Sequence, residues 1–290
     1  MSSKENLDNQ IEKFWPKDGP PINEVEKYIK KYSREKIVIK CGGRVLLDPD
    51  LFNNFIEDIT VLKKLQLTPI VVHGGGLRIK KKLNDLNIES KFIMGLRVTD
   101  QKVIKVVEEV MIEFNKEIVE ALDKKNCKAK SITIKENISI YVEQKNKELG
   151  YVGRPTKIND TLIKKIIKEN FVPIISPMGL DAKKQAYNIN ADTAAGAIAK
   201  NLKSRRLLLM TDVEGVYDKN KILISEIKSS EAEKLIYDGT INEGMIPKIR
   251  TCIDAVSNEV KGVVIIDGRK PHSILFELFS DKGSGTLIRK

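Results

Sequence analysis

The residues best suited to chemistry lie at the ends of apolar runs. Ile37-Val38-Ile39-Lys40-Cys41-Gly42-Gly43 and Ile70-Val71-Val72-His73-Gly74-Gly75-Gly76 each close in glycines, about one βα unit apart. Glycine lets main-chain N–H groups approach a ligand with no Cβ between, and a following helix adds its positive N-terminal end. A phosphate is the natural guest of such a turn. Lys40 offers a mobile positive charge to the same anion. One glycine pair after a strand is commonly only a tight turn; two in successive units, one beside a lysine, point to an anion held between two strand ends. Neither fits G-x-G-x-x-G or the P-loop spacing. Cys41 is expected to face the sheet core, and a reactive thiol beside Lys40 is the competing reading.

Further along, Gly95-Leu96-Arg97-Val98-Thr99-Asp100 puts an arginine in a turn before a helix that Thr99 or Asp100 would cap. A guanidinium fixed there suits bidentate capture of a carboxylate, although most loop arginines are simply solvated. In Tyr187-Asn188-Ile189-Asn190-Ala191-Asp192-Thr193-Ala194-Ala195-Gly196 a strand-like alternation feeds a small-residue helix. Asn188, Asn190 and Asp192 could point toward a cleft, or Asn190 or Asp192 could serve only as an N-cap. Leu207-Leu208-Leu209-Met210-Thr211-Asp212 reads as a buried strand whose carboxyl end is a candidate nucleotide contact. Gly244-Met245-Ile246-Pro247-Lys248 places a second lysine at a helix start, where it opposes the helix dipole and is an odd choice for structure alone.

The elements that position these residues alternate. The pattern predicts strands at 36–40, 69–73, 171–176, 206–210, 262–266 and 285–289, and shorter β-like runs at 130–134 and 138–143. Helices are expected at 50–66, 75–87, 100–125, 160–170, 191–202, 229–238, 245–259 and 272–279, with a turn-rich stretch at 177–190. Such alternation predicts an α/β fold: a mainly parallel open sheet between two helical layers, with ligands at the carboxyl ends of the strands. Ile22, Val25, Tyr28, Ile29 and Tyr32 recur at helical spacing after the breaker Pro16-Lys17-Asp18-Gly19-Pro20-Pro21. They read as an arm outside the main core whose apolar stripe needs a partner, a subunit contact being the expected one.

The chain of 290 residues can bury a full core, and its net charge of +11 is spread as lysines over many helices. With no nucleic-acid motif, that charge favours small anions rather than RNA or DNA. Cys41, Cys127 and Cys252 make no C-x-x-C pair, which fits reduced thiols in a cytoplasm. Two histidines argue against a zinc site. No apolar run spans a bilayer, and the polar start from Met1 to Gln10 has no signal-peptide core.

Together the motifs Lys40-Cys41-Gly42-Gly43, His73-Gly74-Gly75-Gly76, Gly95-Leu96-Arg97-Val98-Thr99-Asp100, Asn188-Ile189-Asn190-Ala191-Asp192 and Gly244-Met245-Ile246-Pro247-Lys248 resemble the amino acid kinase family, closest to its branch acting on N-acetylglutamate. The likeness runs from about Tyr28 to the C-terminus. It implies ATP-dependent phosphorylation of the side-chain carboxylate of N-acetyl-L-glutamate to the acyl phosphate, the second step of arginine synthesis. It further implies that Lys40 and Lys248 stabilise the transition state, that Asp192 holds them, and that Gly43 and Gly75 give N–H groups to the moving phosphoryl group. Gly74, Gly75, Gly76, Leu96, Arg97, Asn188 and Asn190 would form the substrate pocket, with Arg97 on the α-carboxylate. Lys40, Gly42, Gly43, Thr211, Asp212, Met245 and Lys248 would meet the nucleotide. Mg2+ would arrive with ATP, held by nucleotide and water, with no protein metal ligand assigned. A carboxylate is already nucleophilic at neutral pH, so positioning and charge stabilisation suffice.

Two regions depart from or extend that pattern. Cys41 stands where the family usually has another residue, and Arg44-Val45-Leu46-Leu47 differs from the arginine-regulated form. Yet Tyr28-Ile29-Lys30-Lys31-Tyr32 resembles the arm that links dimers into a hexamer. The tail containing His272, Glu277 and Gly283 resembles the region that, with Tyr28, binds inhibitory L-arginine. The expected division is an arm at 1–33, an acceptor-binding and dimerising lobe at 34–204, and an ATP-binding lobe at 205–290. The hexamer would be a trimer of dimers. Competing readings are a relative acting on another small carboxylate, and a non-catalytic arginine sensor.

Overall fold

A computed structural model describes residues 10–242 and 244–290; most of the polar start therefore lies outside the described residues. After helix α1 (Val25–Tyr32) come β1 (Lys36–Cys41), α2 (Pro49–Lys64), β2 (Thr68–His73), α3 (Gly76–Asp85) and the strands β3 (Phe92–Ile93) and β4 (Leu96–Arg97). The long α4 (Gln101–Lys124) leads to β5 (Ala129–Ile132), β6 (Ile140–Gln144), β7 (Gly153–Ile158), α5 (Asp160–Lys168), β8 (Val172–Ile175), β9 (Met178–Leu180) and β10 (Ala186–Asn188). Then follow α6 (Ala191–Asn201), β11 (Arg206–Thr211), β12 (Val216–Tyr217), β13 (Leu223–Ile224), β14 (Glu226–Lys228) and α7 (Ser229–Tyr237). Helix α8 (Ile246–Ser257), β15 (Val263–Asp267), α9 (Ser273–Phe279) and β16 (Gly285–Arg289) complete the chain.

One eight-stranded sheet runs through the molecule in the order β14-β16-β15-β11-β1-β2-β8-β5. It is parallel except where β16 runs antiparallel to β15, carrying β14 with it. Alternate residues of the buried strands serve opposite faces, as period-two geometry requires. Ile37, Ile39, Val71, Leu208 and Met210 pack under α1, α2, α4 and α9, whereas Val38, Ile70, Val72, Leu207 and Leu209 pack under α5, α6 and α8. The expected three-layer α/β architecture is present. Among the described residues no helix is long and apolar enough to cross a membrane.

Helix starts follow local capping chemistry. Asp48 accepts from Asp50 N and Leu51 N ahead of Pro49, and Asp100 accepts from Lys102 N at 2.8 Å and Val103 N at 2.9 Å. Of the two residues that could cap α6, Asn190 does so, accepting from Thr193 N at 3.1 Å.

Several expectations are corrected. A second sheet, β10-β9-β6-β7, draws β9 and β10 from the stretch read as turn-rich and adds β7, which the pattern missed. Pro155 and a half-exposed face hide β7, and it is an edge strand, where proline is tolerated. Arg97 is not in a turn but on β4, because Met94 (φ 48°) and Gly95 (φ 76°) make the left-handed two-residue turn of a hairpin that pairs Arg97 with Phe92. The arm is not outside the core. Ile11, Val25 and Tyr32 are buried in the cluster shared with α9, and Trp15 meets Phe279 edge-on at 5.7 Å while donating from Nε1 to Pro20 O. Part of the stripe is thus covered within the same chain, while Ile22, Tyr28 and Ile29 stay only partly buried.

Helices α2 and α9 are joined by a buried ion pair, His272 Nδ1 to Asp58 Oδ1 at 2.6 Å. Burial pushes the Asp58 carboxyl up to about 6, with His272 pulling the other way. For His272, burial opposes the charge, but the Asp58 carboxylate outweighs it and raises the imidazole. Both groups hold protons to higher pH folded than unfolded, so stability falls as pH rises; the imidazole's share is complete below about pH 6.5 and is lost above it. Relative to an Asp58→Asn/His272→Asn double variant, the parent should lose stability in urea melts as pH rises above about 6.5. A pH-independent difference would contradict the pairing.

Candidate functional site

The site lies where β1, β2 and β11 end side by side, at the point from which successive crossovers leave in opposite directions along the sheet. The two glycine turns touch: Gly74 N donates to Cys41 O at 2.6 Å, and a Cβ on Gly74 would lie 3.4 Å from Gly42 Cα. Gly43 has φ +69°, a conformation that favours glycine, and a Cβ on Gly42 would come within 2.8 Å of Lys40 Nζ. Lys40 therefore folds back over its own turn.

A single carboxylate joins the two lysines. Asp192, at the start of α6, lies 3.0 Å from Lys40 Nζ and 2.5 Å from Lys248 Nζ. Burial opposes ionisation of Asp192, but the charges of Lys40 and Lys248 outweigh it and hold the carboxyl well below the usual range. The side chains are 12%, 14% and 12% exposed, so the triad is largely desolvated yet open on one side. It carries one net positive charge.

A cleft of about 250 Å3 opens beside this triad, below the ~300–1,000 Å3 of drug-sized pockets, which suits a small metabolite. Lys40, Gly42, Gly43, Gly74, Gly75, Gly76, Leu96, Arg97, Asn188 and Asn190 all line it. Arg97 is 8% exposed, donates from Nη2 to Gly76 O at 2.9 Å and from Nη1 to Ser90 Oγ, and lies 4.7 Å from the Phe92 ring. Among the described residues it forms no ion pair with a carboxylate, and burial pulls its pKa down. A desolvated guanidinium without an acidic partner is suited to an incoming anion. Asn188 bridges to Thr99 Oγ1 at 3.4 Å, and the Asn190 side chain is occupied as the α6 cap.

Thr211 and Asp212 stand at the end of β11 but do not line this cleft, nor do Met245 and Lys248 at the start of α8. Thr211 O accepts from Gly268 N at 2.8 Å. Motif reading missed the apolar lining from Ile79, Phe92, Met111, Val152, Pro177 and Ile189, residues that by pattern look like ordinary core. Burial pushes the Cys41 thiol up, against the pull of Lys40, and Cys41 sits in the core. Among the described residues no cluster of three or more His, Cys, Asp or Glu could hold a metal ion.

The expected regulatory residues divide. Glu277 accepts from Ser284 N at 2.9 Å beside Gly283 (φ +65°), and Tyr28, on the facing α1, donates its hydroxyl to Asp281. His272 is turned away from them into its buried pair with Asp58.

An α/β sheet with glycine turns and two lysines converging at a strand-end cleft defines a phosphate-handling enzyme of small substrates. The sequence pattern of the amino acid kinase family matches residues 35–267, and the chain belongs to that family. The acetylglutamate kinase of Pelagibacter ubique (strain HTCC1062) is 62% identical over 275 residues, covering 95% of this chain and 96% of that protein. The acetylglutamate kinase of Brucella canis is 43% identical over 275 residues, covering 90% and 93%. Among solved structures, a Streptococcus mutans UA159 protein superposes with a TM-score of 0.77 at 29% identity over 88% of this chain and 99% of its own. The N-acetylglutamate synthase of Neisseria gonorrhoeae gives 0.84 at 20% identity, a likeness of fold; the chain spans 62% of that longer protein.

Because Asp192 is ionised far below the unfolded range, its stabilisation is complete above about pH 4 and lost as pH falls through the folded value. Asp192→Asn should lower unfolding free energy by about 3 kcal/mol at neutral pH, with the deficit shrinking below about pH 4. A deficit independent of pH in denaturant melts would contradict the bridge.

Proposed function

We propose that this chain is an acetylglutamate kinase, transferring the γ-phosphoryl group of MgATP to the side-chain carboxylate of N-acetyl-L-glutamate in the second step of arginine synthesis. The observation that carries the reading is the Lys40–Asp192–Lys248 bridge beside the glycine turns. The named relatives, matched almost end to end, support the same activity.

In this reading the acceptor lies in the cleft with its α-carboxylate on Arg97 and its acetamido group near Asn188. Its side-chain carboxylate attacks in line, a new O–P bond forms as the bond to ADP breaks, and no general base is needed. Lys40 and Lys248 neutralise charge on the transferring group and the leaving β-phosphate, and the Gly43 and Gly75 N–H groups meet the equatorial oxygens. Asp192 keeps both ammonium groups aimed inward. Thr211, Asp212 and Met245 belong to the nucleotide side, so residues 34–204 take the acceptor and 205–290 the nucleotide. Mg2+ would accompany the nucleotide substrate and would supply charge neutralisation there, while Asp192 is committed to the lysines.

Regulation by L-arginine and assembly as a hexamer belong to the same proposal. Tyr28, Glu277 and Gly283 lie around the junction of α1 with α9 and the following loop, where a guanidinium could meet Glu277. The three cysteines are unpaired and buried, in keeping with a reducing cytoplasm. A relative specific for another small carboxylate fits less well, because Arg97 and Asn188 together suit an acylated amino acid. A pure sensor would not need two lysines around a transferring group.

Because Val25 and Tyr32 are core residues, the arm is best probed by Tyr28→Ala rather than by removing residues 1–33. Coupled ADP release should show turnover with N-acetyl-L-glutamate at least about 100-fold above glutamate or aspartate. L-arginine should inhibit it, more weakly in Tyr28→Ala, and light scattering should give six subunits. Turnover with aspartate or glutamate alone would overturn the acceptor, and indifference to arginine would overturn the regulation.

A further inference from the structure

His73 immediately precedes the second glycine turn, has no surface exposure, and has no part in the mechanism above. Its ring packs edge-on against Phe114 at 5.1 Å, and the charged group facing it is Arg78 of α3. Burial pushes the imidazole down to about 3, against the pull of the Gly74 main chain, so the ring is neutral at any working pH.

The tautomer follows from one neighbour. Asn115 of α4, also fully buried, has its Nδ2 2.9 Å from Ile174 O and 3.2 Å from His73 Nε2. A carbonyl can only accept, so the amide nitrogen must face this side, and its second hydrogen goes to Nε2. Nε2 is therefore the acceptor and the proton sits on Nδ1. That Nδ1 is buried and, among the described residues, has no partner within hydrogen-bond geometry, although the Gly74 main chain lies beside it. A proton donor held there without a partner is costly unless it is used.

The peptide next to it has one orientation left to choose. Gly74 N is fixed by Cys41 O, and Gly75 O is fixed by Ile79 N at 2.8 Å. Between them lies the Gly74–Gly75 peptide, with no Cβ on either side to bias its rotation. The peptide is planar and trans, so its carbonyl and N–H point in opposite directions. Holding the Gly74 carbonyl on one side aims the Gly75 N–H to the other.

We propose that His73 is a positioning residue: a neutral Nδ1–H imidazole, held in that tautomer by Asn115, that engages the Gly74 carbonyl and so turns the Gly75 N–H toward the transferring phosphoryl group. The proposal rests on the kinase reading for its catalytic consequence, but its tautomer can be observed without turnover. Two substitutions separate the ring's two nitrogens. His73→Gln places an amide near Nε2 and loses the donor at Nδ1; His73→Asn places an amide near Nδ1 and keeps it.

The test combines 15N NMR of the histidine-labelled parent with steady-state kinetics of both variants. The expected spectrum shows His73 with the proton on Nδ1 and no titration between about pH 6 and 8. His73→Gln should lose roughly tenfold or more in kcat with little change in acceptor KM, and His73→Asn should recover most of that loss. An Nε2–H tautomer, a titrating ring, or equal loss in both variants would overturn the proposal. If the parent itself fails to phosphorylate N-acetylglutamate, the kinase reading falls while the spectrum still decides the tautomer.

Discussion

One carboxylate shared by two ammonium groups organises this molecule. Lys40 comes from the end of β1, Lys248 from the first turn of α8, and Asp192 from the first turn of α6, so the contact ties the middle of the sheet to helices on one face. Two like charges brought this close would repel strongly in a desolvated site, and removing their common partner would leave that repulsion unbalanced. The same arrangement leaves one positive charge in excess, aimed at the cleft. In the proposed reaction, structural cohesion and affinity for an anionic, transferring group would come from one interaction.

Everything around the triad limits where that anion can sit. The glycine turns bring main chain where side chains would block it, and their mutual contact, Gly74 N to Cys41 O, fixes the distance between two strand ends. Arg97, on β4 with its guanidinium over Phe92, lines the same cleft as Lys40.

Much of this was legible in the residues because it depends on strand ends. The alternation of apolar runs with amphipathic helices gave the layered sheet, Lys40 stood at a strand end beside glycines, and Lys248 stood out as a charge at a helix start where structure alone rarely wants one. What stayed hidden depends on three-dimensional partners. Whether Asn190 or Asp192 capped α6 was undecidable from spacing, since both side chains can reach free amides; the lysines claim Asp192 and leave the cap to Asn190. The arm's apolar stripe pointed to a subunit contact, whereas α9 of the same chain covers Val25 and Tyr32 and leaves Ile22, Tyr28 and Ile29 only partly buried. Strand β7 was masked by Pro155, and nothing in the spacing announced that Asn115 would meet His73.

The central claim is that the two lysines act on the phosphoryl group in transit more than on bound nucleotide. Calorimetry of MgADP, N-acetyl-L-glutamate and aluminium fluoride, a mimic of the planar transferring group, measures that difference. The account predicts that Lys40→Ala weakens binding of the mimic by roughly 100-fold or more while MgATP affinity changes only a few-fold. Equal losses for mimic and nucleotide would contradict it.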